Sequence, residues 1–138
     1  MLDKRTLEKL AVLRLDDAGY LLNNDRASSA YYLAGYAVEL GLKACIAKSI
    51  HSNAIPDLAF VRSIYSHNLS DLIGVAGLTQ LLNEEIDSNQ DFAKHWAITN
   101  QWNGTSRYEV WDIMAARTLF VAIGDNQTGV FQWMKKFW

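Results

Sequence analysis

Proline is almost absent from this chain of 138 residues, which contains one, Pro56, and the only cysteine is Cys45. A single thiol cannot form an internal disulfide, so we expect a reducing compartment, the cytoplasm. Half of the residues are apolar and helix breakers are few, which favours an ordered, all-α fold. The length corresponds to one domain, 1–138.

An excess of basic residues is also lacking, because the formal net charge is -2 and the sequence pI is near 5.9. Proteins that bind nucleic acids over a broad surface are normally basic, so the charge argues against that class. A local basic pocket is still compatible with this charge. The first residues are rich in charge, and no signal peptide is expected. The apolar stretch 27–50 has Glu39 and Lys43 near its middle, which favours a buried central helix over a membrane span.

Motifs for cofactors and metals are missing as well. The chain has no glycine-rich phosphate loop, no cysteine cluster and no paired Glu-x-x-His motif, so no cofactor is expected. Asp91 and His95 lie four residues apart and could share a metal, but two ligands are too few to predict a site.

Apolar periodicity and turn residues divide the chain into helices. Helices are predicted at 3–22 (capped by Asp3), 27–50, 57–65 (one short turn), 71–82 (capped by Asn68 or Ser70, with a bend or end at Gly77), 91–102, 107–123 and 129–137. The acidic segment 83–90 is predicted to be a solvated loop or a frayed helix end. Between the first two helices, one of Asn23, Asn24 and Asp25 is a candidate cap.

Several helix faces are predicted to point inward. They comprise Leu7, Leu10, Val12 or Leu13, Ala18 and Leu21 or Leu22 in the first helix; the small-residue stripe Ala30, Ala34, Ala37, Gly41 and Cys45; Phe92, Trp96 and Trp102; and Val110, Met114, Ala115, Thr118 and Val121 or Ala122. The stripe predicts close approach of the first or last helix. The aromatic end, Phe131 to Trp138, either closes the bundle or packs on a partner chain.

Arg62 and His67 form the first candidate site. A guanidinium can hold a phosphate and an imidazole can move a proton near neutral pH, so the pair could cleave RNA without a metal. His67 could equally be a helix-start residue that bonds to backbone.

Glu39, Lys43, Arg107 and Tyr108 form the second candidate site. Glu39 and Lys43 are either an exposed helical ion pair or a partly buried site between helices. Arg107 and Tyr108 are predicted at a helix start, where backbone donors attract anions. Packing of the second and fifth helices would gather all four into a nucleotide-binding cleft. Alternatively, Arg107 pairs with an acid such as Glu39, and Tyr108 packs in the core.

Three segments, YYLAGYAVELGLKACI, HNLSDLIGVAGL and RYEVWDIMAARTLF, resemble the HEPN domain of prokaryotes and higher eukaryotes. The closing GVFQWMKKFW is similar to the ends of small stand-alone members. The resemblance implies an up-and-down helical bundle of four to five main helices with a short C-terminal helix, a homodimer, and association with RNA or nucleotides. Many members are metal-independent ribonucleases, often toxins paired with a nucleotidyltransferase-fold antitoxin.

The resemblance implies a catalytic Arg, then a spacer of four to six residues, then a His. Arg107 falls where the Arg is expected, but Asp112, Ile113 and Met114 stand where the His would be. We therefore expect a binding or assembly module without catalytic activity of its own. The alternative is an endoribonuclease that uses Arg62 and His67 from an earlier position.

Overall fold

The computed structural model describes residues 2–138, and these form only helices, turns and loops. The α-helices are α1 (Lys4–Asn23), α2 (Ala27–Ser49), α3 (Leu58–Ile64), α4 (Leu69–Val75), α5 (Thr79–Ser88), α6 (Gln90–Thr99), α7 (Ile113–Gly124) and α8 (Val130–Lys135); a 3₁₀ turn, Gly104–Tyr108, precedes α7. The prediction of an all-α fold is confirmed. Across residues 2–138, no helix combines the length and apolar character needed to cross a bilayer.

Helices α1 and α2 form a hairpin, the most extensive packing in the molecule. Asp3 caps α1 as predicted, because its carboxylate accepts a hydrogen bond from the Thr6 N–H. The predicted inward face of α1 is partly wrong. Val12 and Leu13 are about 40% exposed, whereas Ala11 is fully buried. The prediction that one of residues 23–25 caps α2 is also wrong. The N-cap is Arg26, which makes no side-chain capping bond.

Helix α2 is central, as predicted, and packs against α1, α4, α7, α8 and the 3₁₀ turn. All five members of the small-residue stripe are buried. Towards the end of α2, a Cβ added at Gly41 would lie 2.1 Å from the Met134 methyl group, so glycine is what lets α8 approach. The expected packing of the last helix on the stripe is confirmed.

Two helix boundaries differ from the prediction. The segment 83–90 is mostly helical, because α5 continues to Ser88 with Leu82 buried, and Asn89 then caps α6. Helix 107–123 begins only at Ile113, where Asp112 accepts from the Ala115 N–H at 2.7 Å. Other predicted features are confirmed: Asn68 caps α4, a left-handed Gly77 separates α4 from α5, and Phe92, Trp96 and Trp102 are buried.

The predicted inward face of α7 is wrong. Its buried residues are Ala116, Leu119, Ala122 and Ile123, of which only Ala122 was among the expected ones. Val110, Met114 and Val121 are exposed instead, by 95%, 72% and 48%. Helix α7 is apolar on both sides, so periodicity alone does not say which side faces the core.

The aromatic C-terminus packs on its own chain, against α2, α6 and α7. Phe131, Trp133 and Met134 are buried, and the ring centroids of Phe92 and Trp133 lie 5.5 Å apart. Trp133 is therefore covered by its own chain and needs no second copy to cover it.

Candidate functional site

Glu39 is a charged residue in the core. Its side chain is 3% exposed, and Oε1 lies 2.8 Å from Lys43 Nζ and 2.8 Å from His67 Nδ1. The second oxygen, Oε2, is buried and has no hydrogen-bond partner within residues 2–138. Of the two readings of the Glu39–Lys43 pair, the structure thus supports the buried one. A buried carboxylate that holds two nitrogen donors forms a polar cluster inside an apolar bundle.

His67 joins this cluster from the loop before α4. Asn68, not His67, is the cap of that helix, since its side chain accepts from the Asp71 N–H at 2.9 Å. The imidazole reaches across to α2, and its Cβ packs against the backbone of Gly104, where an added Cβ would come within 2.9 Å. In the neutral ring, donation from Nδ1 to Glu39 leaves the Nε2 lone pair free as a base. The His67 side chain is 52% exposed.

Arg62 is exposed on α3, a helix without buried residues. Within residues 2–138, the structure records no ion pair between Arg62 and an acid. His67 contacts the Glu39 carboxylate, a partner that the sequence did not predict.

Arg107 lies in the last turn of the 3₁₀ helix, not at the start of α7 as predicted. Its Cζ is 4.9 Å from the centroid of the Tyr108 ring. Hydrogen bonding to Tyr108, and then to Tyr32, raises the pKa of Arg107. The alternative expectations are also wrong, since Glu39 pairs with Lys43 and His67, and Tyr108 is 78% exposed.

Two of the four residues of the predicted nucleotide cleft, Arg107 and Lys43, line two different cavities. Arg107 lines a cavity of about 260 Å³ with Ser28, Ser29, Tyr32 and Glu109, which we call the Arg107 cavity. Lys43 lines another cavity, on the opposite half of α2. Among the described residues, no hydrogen bond or ion pair joins Glu39 or Lys43 to Arg107 or Tyr108.

The N-terminus of α2 forms one wall of the Arg107 cavity. Because Arg26 provides no side-chain cap, the first N–H groups of this 23-residue helix keep their donors available. Ser28 is already engaged, since its Oγ accepts from the Trp111 N–H at 2.9 Å. The sequence analysis did not single out Ser28 and Ser29. The feature that could have indicated them is a helix start with two serines but without a capping residue.

Aromatic rings connect the Arg107 cavity with the Glu39 cluster. Tyr32 lies 5.7 Å from Tyr36 and 5.9 Å from Trp102, measured between ring centroids. Burial, followed by the nearby charge of Glu39, raises the pKa of Tyr36. Trp102 lies against Gly35, and no described residue accepts a hydrogen bond from its buried Nε1.

His95 makes a structural contact. Its Nδ1 donates to the Thr128 carbonyl at 3.0 Å and thereby ties α6 to the turn before α8. In the described part of the chain, no three His, Cys, Asp or Glu side chains are arranged to hold a metal ion.

The fold and the site together define a small all-α protein with a Glu39–Lys43–His67 cluster around a buried carboxylate and a cavity lined by Arg107, Glu109 and Tyr32. Comparison with models of protein families, with curated proteins and with solved structures finds no match to this chain.

Proposed function

We propose that this chain is a HEPN-type module, an up-and-down bundle of four to five main helices that binds a nucleotide or an RNA end and has no catalytic activity of its own. The observation that carries the proposal is the position of Arg107, which lies against Tyr108, in a cavity that it shares with Tyr32 at the uncapped start of α2.

The Arg107 cavity offers groups that can bind the phosphate and the base of a nucleotide. A guanidinium binds phosphate through paired N–H donors, and free amides at a helix start favour the same charge. Tyr32, which lines the cavity, offers a ring on which a base can stack. Glu109 in the same cavity repels a long polyanion, so a mononucleotide or a single RNA terminus suits the cavity better than a duplex.

The test is titration of a fluorescent nucleoside monophosphate or a short labelled RNA into the purified protein. Arg107→Ala should weaken binding by about tenfold or more, because one charge-assisted phosphate contact is lost. Arg5→Ala is the matched control, since Arg5 is an exposed arginine on α1. Equal losses in both variants would mean that only net charge attracts the ligand, and the proposal would fail.

The second candidate function is a metal-independent endoribonuclease, favoured by the contact between His67 and Glu39. A buried carboxylate that orients an exposed imidazole is an arrangement suited to a general base. Cleavage of RNA in the presence of EDTA, lost in His67→Ala and kept in the exposed control His51→Ala, would establish this activity. It would also overturn the non-catalytic proposal. A nucleotidyltransferase-fold antitoxin is the partner that would accompany such a toxin.

The homodimer is also a proposal. Its support is the line of apolar side chains that α7 and the preceding loop leave in water, Val110, Met114 and Val121. In a two-fold interface, this patch on one copy would pack against the same patch on the second copy. Met114→Glu should then convert a dimer to a monomer in sedimentation velocity, whereas Leu58→Glu, on the exposed side of α3, should not. A wild-type monomer at micromolar concentration would contradict it.

A further inference from the structure

The second cavity lies under α3, between that helix and the α1–α2 hairpin; we call it the α3 cavity. Its volume is about 380 Å³, and Leu7, Ile46, Val61 and Ile64 form apolar walls. Helix α3 has no buried residue of its own and covers this space without filling it. Ligand sites in proteins are typically clefts of about 300–1,000 Å³ with mostly apolar walls and few polar groups.

Apolar side chains at the rim of the α3 cavity stay in contact with water. Leu2 is 63% exposed, Ile50 43% and Tyr65 72%, and all three line the cavity. An apolar ligand would remove part of this surface from water along with the inner walls, which is favourable in proportion to the area covered.

Among residues 2–138, Lys43 is the one charged residue in the wall of the α3 cavity. Its side chain is 14% exposed, and its recorded hydrogen bond goes to Glu39 Oε1 at 2.8 Å. An ammonium has three donors, so this bond leaves two for an acceptor inside the cavity. A carboxylate accepts such bonds more strongly than a neutral oxygen does.

We propose that the α3 cavity binds a medium-length apolar carboxylate, with the alkyl chain between α1 and α3 and the carboxylate on Lys43. The cavity volume corresponds to about a dozen non-hydrogen atoms at roughly 30 Å³ each. Octanoate is within this limit. The site is separate from the Arg107 cavity, so the proposal does not depend on nucleotide binding.

The test uses isothermal titration of the full chain with octanoate and, separately, with 1-octanol. Ile64→Trp fills the cavity and should weaken binding of both probes at least about tenfold. Its matched control is Leu58→Trp, which places the same ring on the same helix at an exposed residue that does not line the cavity. This control should keep both affinities within about twofold.

Lys43→Met retains the alkyl stem and removes the charge. It should weaken octanoate binding about tenfold and leave octanol binding unchanged, which also shows that the cavity is intact. Lys48→Met, an exposed lysine on the same helix, is the control and should change neither affinity. The proposal is overturned if the wild type binds neither probe at millimolar concentration. It is likewise overturned if Ile64→Trp binds both normally, or if Lys43→Met keeps its full affinity for octanoate.

Discussion

Removal of the Glu39 carboxylate should be one of the most destabilising single changes in the chain. Glu39→Ala leaves the Lys43 ammonium, 14% exposed, without its carboxylate. An unpaired charge at such a site costs about 3–5 kcal/mol. The pair Lys4–Glu8 is a natural control, because it has the same four-residue spacing, but its side chains are 38% and 27% exposed. Glu8→Ala should therefore cost less than about 1 kcal/mol.

The double variant Glu39→Leu with Lys43→Met separates the value of the pair from the penalty of breaking it. Replacing both charges by apolar side chains of similar size removes the charge and the carboxylate together, so most of the loss in Glu39→Ala should be recovered. His67, half-exposed, then turns to water for its hydrogen bonds.

Urea denaturation followed by tryptophan fluorescence measures all three variants, since the chain has five tryptophans. The transition midpoint should fall strongly in Glu39→Ala with little change in slope, because the same surface is exposed on unfolding. The reasoning is refuted if Glu39→Ala loses no more free energy of unfolding than Glu8→Ala. It is also refuted if the double variant is as unstable as Glu39→Ala.

Three further predictions concern packing, reactivity and capping. Gly35→Ala should destabilise by about 1–3 kcal/mol in the same assay, because the new Cβ would lie 2.2 Å from Trp102 Cγ. Gly74→Ala, with nothing within 4 Å, should instead stabilise by up to about 1 kcal/mol. Burial raises the pKa of Cys45 to about 11, so at pH 8 the native thiol stays protonated and should react with Ellman's reagent only after unfolding in urea. Asp112→Ala should cost about 1 kcal/mol in thermal or urea unfolding, since the cap of α7 is lost.

The fold was predictable where one helix dominates its surroundings. Helix α2 is apolar on most sides, and a helix of that kind must be surrounded. The segment 83–90 was predicted to be a solvated loop or a frayed helix end because three of its eight residues are acids. Most of it is the end of α5, and Leu82 and the partly buried Ile86 anchor it as a helix. The break before α7 was missed because Asp112 lies inside an otherwise continuous apolar period.

The candidate site was predictable only over short sequence distances. Glu39 and Lys43 are one helical turn apart, so their contact follows from spacing alone. The contact between Glu39 and His67 spans 28 residues and depends on where the loop before α4 meets α2. Arg107 was expected beside Glu39 because residues 107–123 were predicted to form one helix. The 3₁₀ turn places it instead over Tyr108 and towards the start of α2.

This displacement of Arg107 divides one expected site into two that can be tested independently. Tyr32 lines the Arg107 cavity and Lys43 lines the α3 cavity, eleven residues further along α2. At about 1.5 Å per residue, the two positions are roughly 16 Å apart along the helix axis. Effects of substitutions at that separation usually add, when the sites share no partner. Arg107→Ala should thus leave octanoate affinity unchanged and Lys43→Met should leave nucleotide affinity unchanged, whereas a single composite cleft would lose both ligands with either variant.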